Sequence, residues 1–381
     1  MSNIYHSDIY QFNKPVPSYW EATSSENLNL DKLQKDISSE IVVIGGGYTG
    51  LLCAINLIEN YNLDVVLVEA GKVGWGASSR NAGFCCLPPS KMSYKKMQSV
   101  YGTEETRKFF KNSVEGANYT KELIDNYNID CDVTGENNFV VAHHKNKFDQ
   151  IKEQAEVYKS EFGIETKVYS KEEFDEVGHG GTEQFGAFSY KPGFAINPLK
   201  FVNGLAKYAL SKKLKIYEHT KVEKIEKENG SYLLRTNEGS IKTKKIVVAT
   251  NGFYQEGLIP EMDGRVLPVI SNIIVTRPLT NEELSLHNFN TYAPIANSKN
   301  LLYYYRKLPD NRILFGTRGD FEGSDQSNQN RANDMEKFLK NIFPKWSNVT
   351  IDYNWRGLIA LSQKLTPSIG KIDNEEIYYG F

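Results

Sequence analysis

The stretch Glu40–Gly50, EIVVIGGGYTG, restricts the possible folds of this chain more than any other segment. Ile41, Val42, Val43 and Ile44 form a continuous apolar run, the pattern of a strand buried on both faces in a parallel sheet. Gly45, Gly47 and Gly50 follow in the spacing G-x-G-x-x-G. Leu51, Ala54, Ile55 and Ile58 then recur at helical spacing, and Val65–Val68 is a second apolar run ending at Glu69. Strand, glycine turn, helix and strand make one βαβ unit. In such a unit the first glycine permits the tight turn, the second lets the backbone approach a pyrophosphate, and the third allows close helix–strand packing. The helix N-terminus offers free N–H groups and a positive dipole end to the phosphates. Glu69 stands about 20 residues beyond the glycines, where a carboxylate accepts from both ribose hydroxyls and repels a 2′-phosphate. A dinucleotide other than NADP is expected, and the fingerprint alone leaves FAD and NAD open.

Composition narrows the partners. The 381 residues suffice for two domains or one large discontinuous one. A net charge of −2 provides no basic field, so nucleic acid is not an expected partner. No apolar run spans a bilayer and the first ten residues show no secretory pattern, so no integral membrane segment is expected. Of the four cysteines, Cys85 and Cys86 are adjacent, and no C-x-x-C occurs. Reduced thiols in a cytoplasmic protein are expected. His143-His144 and the absence of H-E-x-x-H give no metal site.

Residues 1–37 are polar apart from Tyr19-Trp20 and read as a surface arm. Helical spacing is expected through Phe110, Val114, Ala117 and Ile124, across Lys145–Phe162, and through Met335, Phe338, Leu339 and Ile342. Asn197-Pro198 reads as an N-cap and first helical proline before Leu199, Val202, Ala206 and Ala209. Strands are expected at Val222–Ile225, Tyr232–Thr236 and Ile241–Ala249, with a hairpin turn at Gly239. Strands of a second sheet are expected at Val266–Val275, Leu301–Arg306 and Arg312–Phe315. The expected fold class is α/β, a Rossmann-like dinucleotide domain interrupted by an α+β substrate domain on a mixed or antiparallel sheet. The first takes residues 38–135, 194–262 and 351–381; the second takes 136–193 and 263–350.

Val73–Phe84, VGWGASSRNAGF, begins just after Glu69. Its small Gly76, Ala77 and Ser78 leave backbone N–H groups accessible, and Arg80 and Asn81 add a charge and an amide. Here the chain resembles the D-amino-acid oxidase/glycine oxidase (DAO) class of FAD-dependent oxidoreductases. It is most like the γ-glutamylputrescine oxidoreductase branch, whose members carry G-A-S-G-R-N-G-G at this place; Ser79 and Ala82 replace two of those glycines. Further segments match in order: INPLKFVNGLAKYAL, TKVEKI, KIVVATNGF and WRGLIALSQKLTPSIGKI. The resemblance implies FAD as cofactor. It places Gly45, Gly47, Tyr48, Thr49 and Gly50 at the phosphates, Glu69 and Ala70 at the ribose, and Val222 by the adenine. Thr250, Asn251 and Gly252 close over the pyrophosphate. Trp75, Gly76, Ala77, Ser78, Arg80, Asn81, Ala82 and Gly83 follow the cofactor, and Gly370 lies near the flavin ring.

The resemblance further implies oxidation of an amine or amino acid by hydride transfer to flavin N5, giving an imine that hydrolyses. A single G-x-G-x-x-G, without a second nucleotide fold, suits a substrate that reduces the flavin directly. Substrate-site candidates are Tyr303, Tyr305 and Arg306, the first two on one face of a strand and Tyr304 on the other; sheet packing is their structural alternative. In the sarcosine oxidase branch an oxygen-activating lysine precedes a strand glycine, and Leu314-Phe315 stand there. Oxygen or another electron acceptor therefore serves as oxidant. The chain stops at IYYGF, where the family continues with a glycine-rich turn and helix, so a C-terminally truncated protein is expected. The alternatives are a flavin-binding protein without turnover, truncated or regulatory, and an NAD-dependent dehydrogenase.

Overall fold

The computed structural model describes residues 4–24, 26–87 and 92–381. Residues 1–3 and 25 of the expected arm and 88–91 of the segment 38–135 lie outside them.

The βαβ unit forms as its pattern requires. Strand Ile37–Ile44, helix Tyr48–Tyr61 and strand Val65–Val68 follow one another, and the strands pair in parallel from Ile41↔Val65 to Ile44↔Val68. Ile41 and Val43 point into one core, and Val42 and Ile44 into another on the opposite face. That explains the unbroken apolar run. Lys215–Tyr217 and Ser240–Val248 flank the pair in parallel, and Ile377–Gly380 extends the sheet. Strands Val222–Glu228 and Ser231–Thr236 add an antiparallel meander, with the expected turn at Gly239. The helix Pro198–Ser211 opens with Asn197 Oδ1 accepting Lys200 N–H, and buries Leu199, Val202, Ala206 and Ala209.

A second eight-stranded sheet runs in the order Ile351–Ser362, Val266–Thr276, Ile313–Arg318, Tyr304–Lys307, Ile295–Asn297, Asn138–Val141, Ala187–Lys191, Glu165–Tyr169. All pairs are antiparallel except Ile295–Asn297 with Asn138–Val141. Helix Asp325–Ile342 covers one face through Met335, Leu339 and Ile342. The other face gives Ile273, Val275, Leu314 and Trp355 to the core that also holds Ile41 and Val43. The two sheets therefore share a core, and the second sheet's inner face looks toward the glycine turn.

Two expectations are corrected. Residues 351–381 do not stay together on the first sheet. Ile351–Ser362 pairs with Val266–Thr276 over most of its length, and only Ile369–Lys371 and Ile377–Gly380 join the first sheet. Trp355 and Leu358, on opposite faces of Ile351–Ser362, pair with Ile273 and Ile270 of the neighbouring antiparallel strand, not with a parallel one. The arm is also more than a surface strap. Trp20 is 1% exposed in the shared core, and its Nε1–H donates to Asn81 O at 3.0 Å. Trp75 Nε1–H donates back to Lys14 O at 2.8 Å.

Candidate cofactor cleft and the sheet face beside it

Each fingerprint glycine occupies a place that a side chain would fill. A Cβ at Gly50 would stand 1.9 Å from Gly45 O, and one at Gly45 would stand 2.6 Å from Ala249 O. Gly45 also holds φ near +114°, a conformation that other residues rarely adopt. A Cβ at Gly47 would stand 2.8 Å from Ser78 Oγ. The strand ends, helix start and Gly76–Ser78 turn are thereby drawn together around a cleft of about 340 Å³. Gly45, Gly47, Tyr48, Thr49, Glu69, Ala70, Trp75, Gly76, Ala77, Ser78, Asn81, Val222, Thr250 and Asn251 line it.

Glu69 is anchored by backbone on both of its carboxylate oxygens. Its Oε2 accepts Gly46 N–H at 2.7 Å and its Oε1 accepts Gly71 N–H at 2.8 Å. Burial raises its pKa, and the bonds from Gly71 and Gly46 oppose that shift. Ser78 Oγ accepts Tyr48 N–H at 3.0 Å, tying the turn to the helix N-terminus. Gln255, which sequence reading missed, also lines the cleft with Val222 and Leu258. Its Oε1 is buried without a hydrogen-bond partner among the described residues.

Six residues expected at the cofactor do not line this cleft. Gly50 packs helix against strand, and Gly252 packs its turn on Leu358. Ala82 is buried in the shared core. Gly83, at φ +73°, lies under Ile196 O. Gly370 sits in the strand pair Ile369–Lys371/Ile377–Gly380, facing Tyr379. Arg80 turns away: Nε–H donates to Trp75 O at 2.8 Å and an Nη1–H to Arg356 O at 3.0 Å, with the guanidinium carbon 4.0 Å from the Trp75 ring centroid. Burial, with Arg356 nearby, pushes it down to about 9. It clamps the cleft wall to strand Ile351–Ser362.

The family model described as FAD dependent oxidoreductase (DAO) matches residues 40–381. The chain belongs to the DAO family of FAD-dependent oxidoreductases. It is 30% identical over 363 residues to γ-glutamylputrescine oxidoreductase of Escherichia coli K12, covering 95% of this chain and 83% of that one. Its fold is that of glycine oxidase from Geobacillus kaustophilus (TM-score 0.70, 17% identity, 90% of this chain and 88% of that one). L-proline dehydrogenase from P. horikoshii is also similar (TM-score 0.69, 21% identity, 92% and 88%). The family decides between the two dinucleotides for FAD. The cleft fits its adenosine diphosphate portion: two lining glycines admit no Cβ, and the lining includes an acidic side chain and an unsatisfied buried acceptor.

In this DAO-family protein the substrate candidates divide between the two faces of the second sheet. Tyr303 and Tyr305 lie on the outer face, Tyr303 stacked on Phe338 and Tyr305 on Phe315. Tyr305 is 2% exposed and pairs with His179 Nε2 at 2.8 Å. Their expected role at the substrate is corrected to core packing. Arg306 is on the inner face and buried: an Nη2–H donates to Ile196 O at 2.7 Å, the guanidinium lies 5.2 Å from the Trp20 ring, and its Nε–H has no partner among the described residues. The residue that faces inward with a hydroxyl is Tyr304. Its ring meets Phe84 edge-on at 5.9 Å, and its Oη is 2.9 Å from Ser271 Oγ. Alternation assigns Tyr304 to the face opposite its neighbours, but only the pairing of the sheet tells which face looks inward.

Four thiols are unpaired. Burial pushes Cys85 up to about 12, which keeps it a thiol. No cluster of metal-ligating side chains, and no helix long and apolar enough to cross a membrane, occurs among the described residues.

Proposed function

We propose that this protein oxidises a primary or secondary amine, or an amino acid. The observation that carries the reading is the placement of Tyr304 and Ser271 on the inner sheet face, with the Tyr304 ring against Phe84, which directly follows the loop Gly76–Gly83. The relatives named as acting on γ-glutamylputrescine, glycine and L-proline support the same class of donor. The chemistry supplied by bound FAD is hydride acceptance at N5, with the substrate leaving as an imine that water hydrolyses.

The chain's own residues bind, orient and exclude water. Gly45, Gly47, Tyr48 and Thr49 present backbone at the phosphates, Glu69 holds the ribose, and Thr250 and Asn251 close the other side. Phe84 and the Tyr304 ring make an apolar wall that desolvates an ammonium and favours its neutral, oxidisable form. The Tyr304 and Ser271 hydroxyls orient the donor. Leu314, buried on the inner face where a lysine would assist oxygen, favours an electron acceptor other than oxygen.

The test is anaerobic mixing of the FAD-reconstituted chain with a panel of polyamines, N-methyl amino acids, L-proline and D-amino acids. Bleaching of the oxidised flavin band by at least one of them, with release of a carbonyl product, is expected. A flavin reduced by dithionite but by no amine would support the alternative, a flavin-binding protein without turnover. Reoxidation by a quinone faster than by oxygen is the expected result for the acceptor.

A further inference from the structure

The amino-terminal arm reaches the cofactor cleft between two firm anchorages. It is fixed first to the second sheet. Tyr5 Oη donates to Pro268 O at 2.7 Å, His6 N–H donates to Glu322 O at 2.9 Å, and Asp8 Oδ2 accepts Asp325 N–H at 3.0 Å. Ile9 is buried against Ile270 and Leu358. The arm is fixed again at Val16, Tyr19 and Trp20, all buried in the shared core.

Residues 11–14, between these anchors, are held differently. Among the described residues their one hydrogen bond beyond the arm is that of Lys14 O, which accepts from Trp75 Nε1–H. Phe12 N–H donates to Tyr10 O, Lys14 N–H to Gln11 O, and Gln11 Nε2–H to Asp8 Oδ1, all within the arm. Open space lies along this stretch. A cavity of about 460 Å³ is lined by residues 10–14 with Ala70, His219 and Lys221. Another, of about 860 Å³, is lined by Gln11 and Lys14 with Trp75 and Arg80. A segment with so few packed contacts opens at a lower free energy than the anchors around it.

Phe12 is what ties the stretch down. Its ring lines the cofactor cleft, with its centroid 4.8 Å from that of Trp75 and 6.3 Å from that of Phe253, and those two rings are 5.4 Å apart. Trp75 precedes Gly76, and Phe253 follows Thr250, Asn251 and Gly252. Phe12 therefore bridges the two loops that line the cleft. Phe12, Ala70 and Lys221 also line the 460 Å³ cavity, so the ring stands where the cleft and that cavity meet. Gly71 admits the arm here: a Cβ on it would stand 3.1 Å from Phe12 O, and its N–H is the one that holds Glu69 Oε1.

We propose that residues 11–14 form a strap that closes over FAD, with Phe12 as its catch, and that the arm thereby sets the rate at which the cofactor is released. The anchors on either side let this stretch swing without unfolding the rest of the arm. The proposal holds whichever donor reduces the flavin.

Rates of FAD uptake and release by the full chain, followed by flavin fluorescence after mixing and after dilution, test it. Phe12→Ala removes two aromatic contacts and is expected to speed release roughly ten- to a hundredfold, with uptake no slower than in the unaltered chain. Phe12→Tyr, which keeps the ring, should keep release slow. Hydrogen exchange adds a readout that a fixed wall would not move: the amides of residues 11–14 should exchange more slowly with FAD bound than without it. Should Phe12→Ala fail to fold, judged by its melting temperature, exchange in the unaltered chain decides. A release rate unmoved by Phe12→Ala, or exchange at residues 11–14 indifferent to FAD, overturns the strap. Uptake that slows in Phe12→Ala makes the ring part of a fixed binding wall and overturns it too.

Discussion

Backbone makes the cleft wall contributed by the first sheet; side chains make the face contributed by the second. At Gly50 and Gly45 the atoms that forbid a Cβ are the carbonyl oxygens of Gly45 and Ala249. At Gly316 they belong to the Tyr304 ring. Backbone wedged against backbone cannot yield, so its residue types and spacing are imposed over a short stretch. A side chain can rotate, so the second face tolerates many residue sets and is defined by which strands pair. The region that holds the cofactor is thus rigid in its requirements, while the region that meets the substrate is free to vary.

The sharpest way to break this contrast is to add one methyl group to each region. Gly50→Ala is expected to cost at least about 3 kcal/mol, because helix and strand must separate. Gly316→Ala should cost about 1–3 kcal/mol, because the Tyr304 ring swings off Ser271 while the strands stay paired. Denaturant unfolding of both variants measures the gap, and equal losses would erase the distinction.

A second comparison separates affinity from turnover. Glu69→Gln removes the acidic side chain of the cleft, and FAD affinity should fall roughly ten- to a hundredfold by spectrophotometric titration. Tyr304→Phe removes a hydroxyl on the substrate face and should leave FAD affinity unaltered while slowing anaerobic flavin reduction. If Tyr304→Phe loosens FAD as much as Glu69→Gln does, the two regions are not divided as described.

An effect confined to acid pH, and absent at neutral pH, lies deep in the second sheet's outer core. His179 is fully buried, accepts Gly181 N–H at Nδ1 (3.1 Å), and bonds Tyr305 through Nε2. Burial, then the neighbouring His287, push it down to about 3. Above pH about 6.5 both folded and unfolded chains hold this histidine neutral. As pH falls from there toward 3, the unfolded chain takes up a proton that the folded one refuses. Stability should therefore decline by up to roughly 1.4 kcal/mol per pH unit from this group alone. His179→Gln should flatten the pH dependence of urea unfolding across that window, and an unchanged slope would show that His179 titrates normally.

The same contrast explains what could be read from the chain alone. Gly45, Gly47, Gly50, Glu69 and the Gly76–Ser78 turn were legible because close approach leaves few residue choices at fixed spacing. Asn197-Pro198 was legible because a cap and an N-terminal proline act locally. The Tyr303–Arg306 face was not. Alternation separated Tyr304 from its neighbours, but the inward face depends on pairing with Ile313–Arg318, which no local pattern encodes. Arg80 misled because a conspicuous charge in a cofactor loop looked outward-facing, whereas Trp75 O and Arg356 O consume it. Strand Ile351–Ser362 misled because its apolar residues suit either sheet, and its long register with Val266–Thr276 decides the matter.

A crystal structure of the FAD-reconstituted protein tests the central claim most directly. The account predicts the adenosine diphosphate in the cleft between the Gly45–Gly50 turn and Thr250-Asn251, the ribose on Glu69, and the isoalloxazine ring reaching the face that carries Tyr304 and Ser271. A ring directed instead toward the outer face of Tyr303 and Tyr305, or a ribose that leaves Glu69 bonded to Gly46 and Gly71 alone, would contradict it.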